Sequence, residues 1–459
     1  MSLIASISGI RGTIGGIPEK NLTPIDIVKF TAAYGFWLKT RQASNVVVIG
    51  RDARPSGEML HQLVTATLVG LGFEVIDFGL STTPTVEIAV PELKAAGGII
   101  LTASHNPVEW NALKLLNYRG EFVTQKDGGE ILEIAENQNY RFSDVNQLGK
   151  VTALPDFIQT HFQKILKLKY IDSYAIEKAG LTVVVDGINS SGGIFVPLLL
   201  KLLGVKNIIE VHCEPTGWFA HNPEPLRQNL TDISEAVRTH KADLGIVVDP
   251  DVDRLVIIDE KGEMIGEEYT LVAIADYILQ YKPSPVVSNL SSSRALKDVA
   301  EKHGCRYYAS AVGEVNVIEI MKRHDALIGG EGNGGIILPE LHYGRDALVG
   351  IALFLSHLVK SKKTCSALRA EYPNYYMSKQ KLVLTEETDV SAIFKAFAQQ
   401  YQSEKINDVD GLKVDFADSW VHLRTSNTEP IMRIYTEAKS QEEADTLADY
   451  VKKQLEQWL

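Results

Sequence analysis

Apolar runs that break abruptly into polar loops recur along the chain. Three of them begin with β-branched residues and end in polar ones: "NVVVIGRDARPSG" (45–57), "LTVVVDGINSSGG" (181–193) and "SPVVSNLSSSRAL" (284–296). Segments with helical apolar spacing follow, as at residues 60–68 after the first. Strands that alternate with helices are typical of α/β units. Because the three openings are about one domain length apart, they predict three related α/β domains.

The C-terminal part follows a different pattern. "WVHLRTSNTEPIMRIYTEA" (420–438) has strand-like stretches on both sides of a polar loop. "SQEEADTLADYVKKQLEQWL" (440–459) is an amphipathic helix, with Ser440 as its predicted cap and Glu443 at the third position. These elements predict a small α+β domain. We therefore expect four domains, over residues 1–150, 151–255, 256–368 and 369–459.

Composition narrows the class of protein. The 459 residues are 45% hydrophobic and 23% charged, which is ordinary for a globular chain, and the formal net charge is -12. A general nucleic-acid binder would carry a basic face, so we expect no nucleic-acid partner. The start of the chain does not match a signal peptide, and the apolar run at 194–200 is too short to span a membrane. We therefore expect a cytoplasmic protein with no membrane partner.

The cysteines agree with that location. Cys213, Cys305 and Cys365 are odd in number and far apart, which disfavours a disulfide framework, and no CxxC pair is present for zinc. We expect buried, reduced thiols.

One acidic loop carries the strongest chemical signal. In "ADLGIVVDPDVDRLVIID" (242–259), Asp249, Asp251 and Asp253 alternate directly after an apolar run. Three neighbouring carboxylates repel one another unless a cation neutralises them, and oxygen ligands favour Mg²⁺ or Ca²⁺. Arg254 adds a fixed positive charge beside them. The loop predicts a site for a hard divalent cation.

Three other kinds of acidic loop share features with this one. A calcium-binding helix–loop–helix would match D-x-D-x-D with Glu260 at the twelfth place, but it needs glycine where Arg254 stands, and the flanks are strand-like. An aspartyl phosphatase also uses a strand ending in D-x-D, with an aspartate nucleophile, and stays open on this motif alone. A solvated acidic turn fits poorly, because apolar strands flank both sides.

A serine and a histidine follow another apolar strand. In "GGIILTASHNP" (97–107), the strand runs into a polar cluster that contains Ser104 and His105. Near the start of the chain, "SGIRGTIGG" (8–16) places Arg11 between Gly9 and Gly12, as a cation for an anionic ligand. These residue types suit a nucleophile and an anion site.

Two further loops suit a sugar phosphate. "GGEGNGGIILP" (329–339) surrounds Glu331 and Asn333 with glycines that let a ligand approach the backbone, and an acid and an amide at alternate positions suit sugar hydroxyls. A mobile turn is the alternative there. In "RTSNTEP" (424–430), Arg424 can clamp an anion and the following hydroxyl and amide residues can donate to it, although a polar hairpin loop would look similar. One phosphorylated sugar would explain all of these loops.

The motifs together carry a family resemblance. "GIRG", "TASHNP", "DPDVDR", "GEGNGG" and "RTSNTEP" occur in this order, with "HNPEPL" (221–226) ahead of the acidic loop. The sequence resembles the α-D-phosphohexomutases, that is, the phosphoglucomutase/phosphomannomutase/phosphoglucosamine mutase superfamily, nearly from end to end. The resemblance implies a four-domain architecture, three related α/β domains plus a C-terminal α+β domain, around a central cleft. It assigns the phosphoserine, metal, sugar and phosphate loops to the four domains in chain order.

The resemblance also implies roles for single residues. Ser104 would be the phosphoserine, and the three aspartates would hold one Mg²⁺ per chain together with its phosphate. The other implied roles are a reacting centre lined by Arg11, His105, Lys114 and Arg254, sugar contacts from Glu331 and Asn333, and a grip on the non-transferring phosphate by Arg424, Ser426, Asn427 and Thr428. Many relatives have a histidine where this chain has Gly335, which leaves His105 and Lys114 as candidates for the general acid and base.

The activity implied is the interconversion of a hexose 6-phosphate and 1-phosphate through a bisphosphorylated sugar. The "GGEGNGG" form is most similar to archaeal-type phosphoglucosamine mutases, which favours glucosamine phosphate; glucose or mannose phosphates are the alternative. A metal-dependent sugar phosphatase and a non-catalytic sugar-phosphate binder are more remote alternatives, and Ser104 on its loop argues against both. The resemblance further implies a hexose 1,6-bisphosphate activator, a small sugar phosphate as the partner, and a monomer or homodimer.

Overall fold

The computed structural model describes residues 3–6, 9–385, 388–426 and 430–458. The chain divides into two compact units. Unit 1 contains residues 1–270 and 333–368, and unit 2 contains residues 271–332 and 369–459. Each unit is described by itself below.

The first sheet of unit 1 has seven strands in the order β1-β2-β6-β5-β3-β4-β7. β3 pairs in parallel with both β4 and β5, whereas β6 runs antiparallel to β5. The elements of this part are β1 (Ile4–Ser6), β2 (Gly9–Thr13), α1 (Pro24–Lys39), β3 (Val46–Arg51), α2 (Gly57–Gly70), β4 (Glu74–Leu80), α3 (Thr83–Glu92), β5 (Gly97–Leu101), β6 (Trp110–Leu116), α4 (Gln125–Glu136) and β7 (Lys150–Ala153).

The second sheet of unit 1 has four strands in the order β11-β10-β8-β9. β8 pairs in parallel with β9 and β10, and β11 returns antiparallel to β10. The elements are α5 (Ile158–Leu166), α6 (Ser173–Ala179), β8 (Thr182–Asp186), α7 (Gly192–Leu202), β9 (Asn207–Val211), α8 (Thr231–His240), β10 (Leu244–Val248) and β11 (Leu255–Ile258), with short 3₁₀ turns at Val145–Gln147, Pro155–Phe157 and Arg227–Asn229.

The third group of strands repeats the same arrangement. β12 lies between β13 and β14 and is parallel to both. The elements are α9 (Glu267–Leu279), β12 (Val286–Asn289), α10 (Arg294–Lys302), β13 (Tyr307–Ser310), α11 (Glu314–Arg323), β14 (Ile328–Glu331), β15 (Gly335–Ile337), α12 (Ala347–Ser361) and α13 (Cys365–Arg369). The order β5-β3-β4 thus recurs as β10-β8-β9 and as β14-β12-β13, which confirms three related α/β arrangements.

The C-terminal sheet, in unit 2, is antiparallel throughout, in the order β16-β20-β19-β18-β17. Its elements are β16 (Tyr376–Val383), α14 (Val390–Gln400), β17 (Lys405–Asn407), β18 (Leu412–Asp415), β19 (Trp420–Thr425), β20 (Ile431–Ala438) and α15 (Gln441–Glu456). The backbone N–H of Glu443 donates to Ser440 Oγ at 3.2 Å, so the predicted helix cap is confirmed. The predicted α+β domain is also confirmed.

The buried strand β5 leads into the polar loop that contains Ser104, and a tyrosine of α1 hydrogen-bonds to its backbone. Its five residues, "GGIIL", are all buried. Tyr34 Oη of α1 donates to the carbonyls of Gly98 at 3.0 Å and Leu116 at 2.6 Å. A Cβ at Gly97 would lie within 3.0 Å of that phenol oxygen, so glycine is needed for this close approach. The hydrogen bonds of Tyr34 therefore fix the backbone of β5 relative to α1.

Two of the composition-based expectations are tested by the fold. None of the helices among the described residues is long and apolar enough to cross a membrane. The three cysteines are free, but only Cys365 is buried. The expectation of burial is wrong for Cys213 and Cys305, which are half-buried because they lie just after strand and helix ends, at β9 and α10.

Candidate active site

The loop after β5 presents Ser104 to the acidic loop. The Ser104 backbone has a φ of +47°, in the left-handed region, and its N–H donates to Thr102 Oγ1 at 3.0 Å. The side chain is buried, and its Oγ donates to Asp249 Oδ2 at 2.6 Å. The strand therefore ends in a loop that brings one hydroxyl to a carboxylate 145 residues further along the chain.

Arg54 fixes this loop by hydrogen bonds to its backbone carbonyls. The sequence analysis did not identify this arginine. Its guanidinium is fully buried, and its Nε donates to Asp52 Oδ2 at 3.0 Å. Its two Nη groups donate to four carbonyls of the loop, those of Ser104, Asn106, Pro107 and Trp110. Asp52 also accepts from Thr102 Oγ1 at 2.7 Å, which closes the network. The available signal was the polar break "GRDARPSG" after β3, which contains both charges.

The three aspartates lie in the turn between β10 and β11. All three are fully buried, and one carboxylate oxygen from each lies within 4.8 Å of the others. Asp249 Oδ1 accepts the backbone N–H groups of Asp253 at 3.0 Å and Arg254 at 3.1 Å, which fixes the turn. Val252, between two of the carboxylates, has a φ of +63°, which is unusual for a β-branched residue.

Cations and a hydroxyl occupy one oxygen of each of the other two carboxylates. Lys114 Nζ lies 2.6 Å from Asp251 Oδ2 and 3.3 Å from Asp253 Oδ2. Thr83 Oγ1 donates to Asp251 Oδ2 at 2.6 Å. Arg345, a second residue that the sequence analysis missed, lies 2.7 Å from Asp253 Oδ2 through its Nη2. Both Oδ2 atoms are therefore committed to partners within the protein.

The remaining oxygens fit a divalent cation. Asp251 Oδ1 and Asp253 Oδ1 are buried, and within the described ranges neither has a hydrogen-bond partner. A buried carboxylate oxygen without a partner is costly, and a metal ion would satisfy two of them at once. Burial, and next the negative charges of Asp253 and Asp251, raise the pKa of Asp249 well above its usual range. A nearby dication would favour the ionised form of this carboxyl.

The opposite charges of Lys114 and the neighbouring carboxylates also shift one another's pKa. Burial alone would lower the pKa of Lys114, but the carboxylates of Asp251 and Asp253 raise it above its ordinary value. Burial likewise opposes ionisation of Asp253, yet Arg345 and Lys114 lower its pKa. Lys114 therefore remains a cation in this site.

His105 and the two other predicted arginines lie in the same unit. His105 Nδ1 is 3.4 Å from Ser104 Oγ, and burial, then the charge of Arg254, hold the pKa of His105 well below its usual range. Arg254 is largely buried, and its Nε has no hydrogen-bond partner in the part of the chain that the structure describes. Arg11 is half-buried in β2, opposite Ala112 of β6.

The predicted sugar and phosphate residues are divided between the units. Glu331 ends β14 in unit 2, where its Oε1 accepts from Asn289 Nδ2 at 2.8 Å and from the N–H of Gly313 at 3.1 Å. Asn333 belongs to unit 1, and its Oδ1 accepts the N–H of Gly335 at 3.3 Å.

The predicted phosphate loop lies in unit 2. The Nε of Arg424 donates to Asp410 Oδ1 at 2.9 Å, so this carboxylate orients the guanidinium. The N–H of Ser426 donates to the carbonyl of Ile431 at 2.9 Å. Asn427 and Thr428 lie outside the described residues.

Four family models match successive parts of the chain. "Phosphoglucomutase/phosphomannomutase, alpha/beta/alpha domain I" matches residues 5–141, domain II matches 159–262, and domain III matches 266–376. The model of the C-terminal domain of the same family matches residues 381–454.

Individual relatives are similar over almost the whole chain. A phosphoglucomutase/phosphomannomutase of Thermococcus kodakarensis is 36% identical over 440 residues, covering 94% of this chain and 95% of that protein. A probable phosphoglucosamine mutase of Thermococcus gammatolerans is 33% identical over 451 residues, covering 97% and 96%. The crystal structure of a phosphoglucomutase/phosphomannomutase family protein from Burkholderia thailandensis has the same fold, with a TM-score of 0.85, 23% identity and coverage of 98% and 97%.

Proposed function

We propose a reaction for this chain, which belongs to the phosphoglucomutase/phosphomannomutase family and is a phosphohexomutase: it moves a phosphoryl group between the 6- and 1-positions of a hexose through a phosphoserine at Ser104. The observation that carries the proposal is the 2.6 Å contact between Ser104 and Asp249, inside a buried cluster of three carboxylates. Two oxygens of this cluster lack a hydrogen-bond partner among the residues that the structure describes. A phosphate on this hydroxyl would lie beside the cation-binding oxygens.

The proposed reaction consists of two phosphoryl transfers between Ser104 and the sugar, and it consumes no other reactant. In the first step, the bond between Ser104 Oγ and phosphorus breaks while a bond forms between phosphorus and a sugar hydroxyl oxygen. The proton of that hydroxyl passes to a base of the reacting centre, for which His105 is the candidate. Ser104 Oγ takes up a proton as it leaves, and Lys114, which stays protonated, is the candidate for that acid. In the second step, the bond between the other phosphorus of the bisphosphorylated sugar and its sugar oxygen breaks while a bond forms between that phosphorus and Ser104 Oγ. Ser104 Oγ gives up its proton to the same centre, and the freed sugar oxygen takes one up.

The surrounding side chains mainly neutralise charge and fix position. Phosphoryl transfer depends largely on these two contributions. Lys114 is held in place by two carboxylates, and we assign it, with Arg254 and Arg11, to the charge of the transferring group. We assign Mg²⁺ to Asp249, Asp251, Asp253 and the phosphate on Ser104, where it would supply Lewis-acid stabilisation of that group.

For the substrate we propose glucosamine phosphate, with glucose and mannose phosphates as the alternative. The names of the T. gammatolerans and T. kodakarensis relatives support the two choices respectively. We assign sugar contacts to Glu331 and Asn333, and the grip on the other phosphate to Arg424, Ser426, Asn427 and Thr428. Turnover of glucosamine, glucose and mannose 6-phosphates, measured side by side on one preparation, decides between the two; a higher kcat/KM for either neutral hexose would reject glucosamine phosphate.

The phosphoserine is tested by intact-mass measurement. The purified protein should carry a fraction that is one phosphoryl group heavier, and Ser104→Ala should lose both that fraction and the mutase activity. Ser173→Ala changes a half-buried serine in the first turn of α6 and should retain both. Full activity of Ser104→Ala would reject the mechanism.

The remaining assignments complete the proposal. We propose activation by a hexose 1,6-bisphosphate, because a trace of it would rephosphorylate Ser104 after loss of the intermediate. We also propose a cytoplasmic monomer or homodimer, and domain boundaries near residues 150, 255 and 368.

A further inference from the structure

A buried arginine contacts the acidic loop although no motif of the sequence points to it. Arg345 lies between β15 and α12, and its side chain is only 10% exposed. Its Nη2 lies 2.7 Å from Asp253 Oδ2, an atom that Lys114 also approaches, at 3.3 Å. The other oxygen of this carboxylate, Oδ1, is one of the two buried oxygens without a partner among the described residues.

The backbone around Arg345 is fixed on both sides. Arg345 forms a β-bridge with Ile337, and the N–H of Asp346 donates to the carbonyl of Ile336 at 2.8 Å. The N–H of Ala347 donates to the carbonyl of Val252, in the acidic loop itself, at 3.2 Å. The segment is therefore tied to β15 on one side and to the metal-binding turn on the other.

Gly335 provides the room that the arginine side chain needs. A Cβ built on Gly335 would lie within 3.0 Å of both Cγ and Cδ of Arg345. Gly335 does not have a positive φ, so its backbone conformation does not require glycine. The reason for glycine at this position is the space that the stem of Arg345 occupies.

The geometry limits how the Asp253 carboxylate can turn. Two cations hold Oδ2, so Oδ1 keeps one orientation, toward the cluster that it shares with Asp249 and Asp251. A charged, hydrogen-bonded partner of this kind fixes a metal ligand before the ion arrives.

We propose that Arg345 is a positioning residue for the metal ligand Asp253, and that Gly335 is required because it leaves room for Arg345. The proposal rests on the proposed function in one respect, that the three aspartates hold a divalent cation. The effects of the two positions on the metal site are then coupled: a side chain at 335 disturbs the site by displacing Arg345.

A double-mutant cycle tests this coupling. Mn²⁺ binding to the metal-stripped enzyme is measured by electron paramagnetic resonance for Gly335→Ala, Arg345→Ala, Arg345→Lys and the Gly335→Ala/Arg345→Ala double variant. Each alanine variant should weaken binding by ~10-fold or more, and in the mutase assay should lower kcat with KM for the sugar phosphate unchanged. The double variant should match Arg345→Ala, because the two side-chain atoms that the added Cβ would meet within 3.0 Å are then absent.

Conservative and control variants distinguish the loss of the Arg345 contact from a loss of charge alone and from misfolding. Arg345→Lys keeps the charge and should lose less than Arg345→Ala. Gly129→Ala, in α4, adds a Cβ that meets nothing within 4 Å and should bind Mn²⁺ as the wild type does. Melting temperatures of all variants report on folding.

Three results would overturn the proposal: wild-type Mn²⁺ affinity in Gly335→Ala, wild-type affinity in Arg345→Ala, or losses that multiply in the double variant. A wild-type enzyme that binds no Mn²⁺ would instead reject the metal site of the proposed function, so the two failures are distinguishable.

Discussion

Two residues of the candidate site adopt backbone conformations that their side chains disfavour. Ser104 and Val252 both have left-handed backbones, which cost an L-residue roughly 1–2 kcal/mol each. Hydrogen bonds hold both turns: Ser104 N–H to Thr102, and Val252 N–H to the carbonyl of Asp249 at 3.1 Å. Both loops that meet at the Ser104–Asp249 contact therefore contain a strained residue.

The left-handed conformation of Ser104 predicts a difference between two inactive variants. Ser104→Gly and Ser104→Ala both remove the hydroxyl, but glycine accepts a positive φ without a steric penalty. Ser104→Gly should therefore be about 1 kcal/mol more stable in urea denaturation than Ser104→Ala. At Ser173, in the first turn of α6, the same pair of changes should show the reverse order, because alanine is the better helix former. Equal stabilities at position 104 would contradict the strain.

Arg54 provides a second prediction at this scale. Arg54→Met leaves the buried Asp52 carboxylate and four loop carbonyls without their cation. We expect the free energy of unfolding to fall by about 3 kcal/mol, with loss of phosphorylation at Ser104, because the loop loses its support. Urea denaturation and intact-mass measurement check the two effects. Arg119→Met, at an exposed arginine, should change neither; a fully phosphorylated Arg54→Met protein would show that the loop needs no such support.

Two β-hairpins of unit 1 contain the residues proposed to react. Ser104 lies in the loop between β5 and β6, and Lys114 lies on β6, where it pairs with Ile100 of β5. β10 and β11 carry the three aspartates in their connecting turn. Each hairpin is a local structure with a clear sequence signal for the serine and the acidic residues, whereas Lys114 was implied only by the family resemblance.

Long-range partners could not be identified in the same way. Arg54 contacts Ser104 across 50 residues, and Arg345 contacts Asp253 across 92. Each arginine lies in an ordinary polar segment, and only the folded pairing of strands makes it part of the site. The strand runs and the Ser440 cap were predictable from local pattern, whereas the repeated strand order depends on which strands pair.

A histidine between two elements of unit 2 predicts a pH effect on stability. His422 of β19 is buried between Ser291 Oγ, 3.0 Å from its Nδ1, and the carbonyl of Asp410, 2.7 Å from its Nε2. Burial, opposed by the hydrogen bond to Asp410, lowers the pKa of His422 to about 4. Since the unfolded value is about 6.5, the neutral form contributes stability that is complete above pH 6.5 and is lost as the pH falls toward 4.

The loss across that pH range should reach roughly 3 kcal/mol. His422→Gln should flatten the dependence of the unfolding midpoint between pH 7 and pH 4.5, measured by urea denaturation at several pH values. His240→Gln, at an exposed position on α8, should keep the wild-type slope. An unchanged slope in His422→Gln would show that other groups cause the loss.

Within unit 2, an α/β sheet packs beside the antiparallel C-terminal sheet, and one arginine connects the two. Arg294, the first residue of α10, donates to the carbonyls of Phe416, Ala417 and Ser419 and to the carboxylate of Asp415. Its own N–H donates to Glu437 Oε1 at 2.9 Å. One side chain therefore satisfies most of the turn between β18 and β19.

Removing this side chain should loosen the C-terminal sheet selectively. In Arg294→Met we expect the opening free energy of the β18 and β19 amides to fall by ~2–3 kcal/mol, as buried carbonyls lose a charged donor. Hydrogen exchange followed by mass spectrometry measures this. Arg323→Met, at an exposed arginine of α11 in the same unit, is the control. Equal protection in both variants would show that the arginine does not tie the sheets together.

The division of the chain has a consequence for how such an enzyme diverges. The Ser104 loop, Lys114 and the three aspartates all lie in unit 1, whereas Glu331 and Arg424 lie in unit 2. Under the proposed assignments, replacements at Glu331 and Arg424 change how the sugar phosphate is bound without altering the Ser104 loop or the three aspartates, and Asn333 is the proposed sugar contact that lies in unit 1 with them. If these assignments hold, selection can alter sugar binding in residues 271–332 and 369–459 while the residues proposed for phosphoryl transfer are inherited unchanged, and an engineer can exchange the same two segments, together with Asn333.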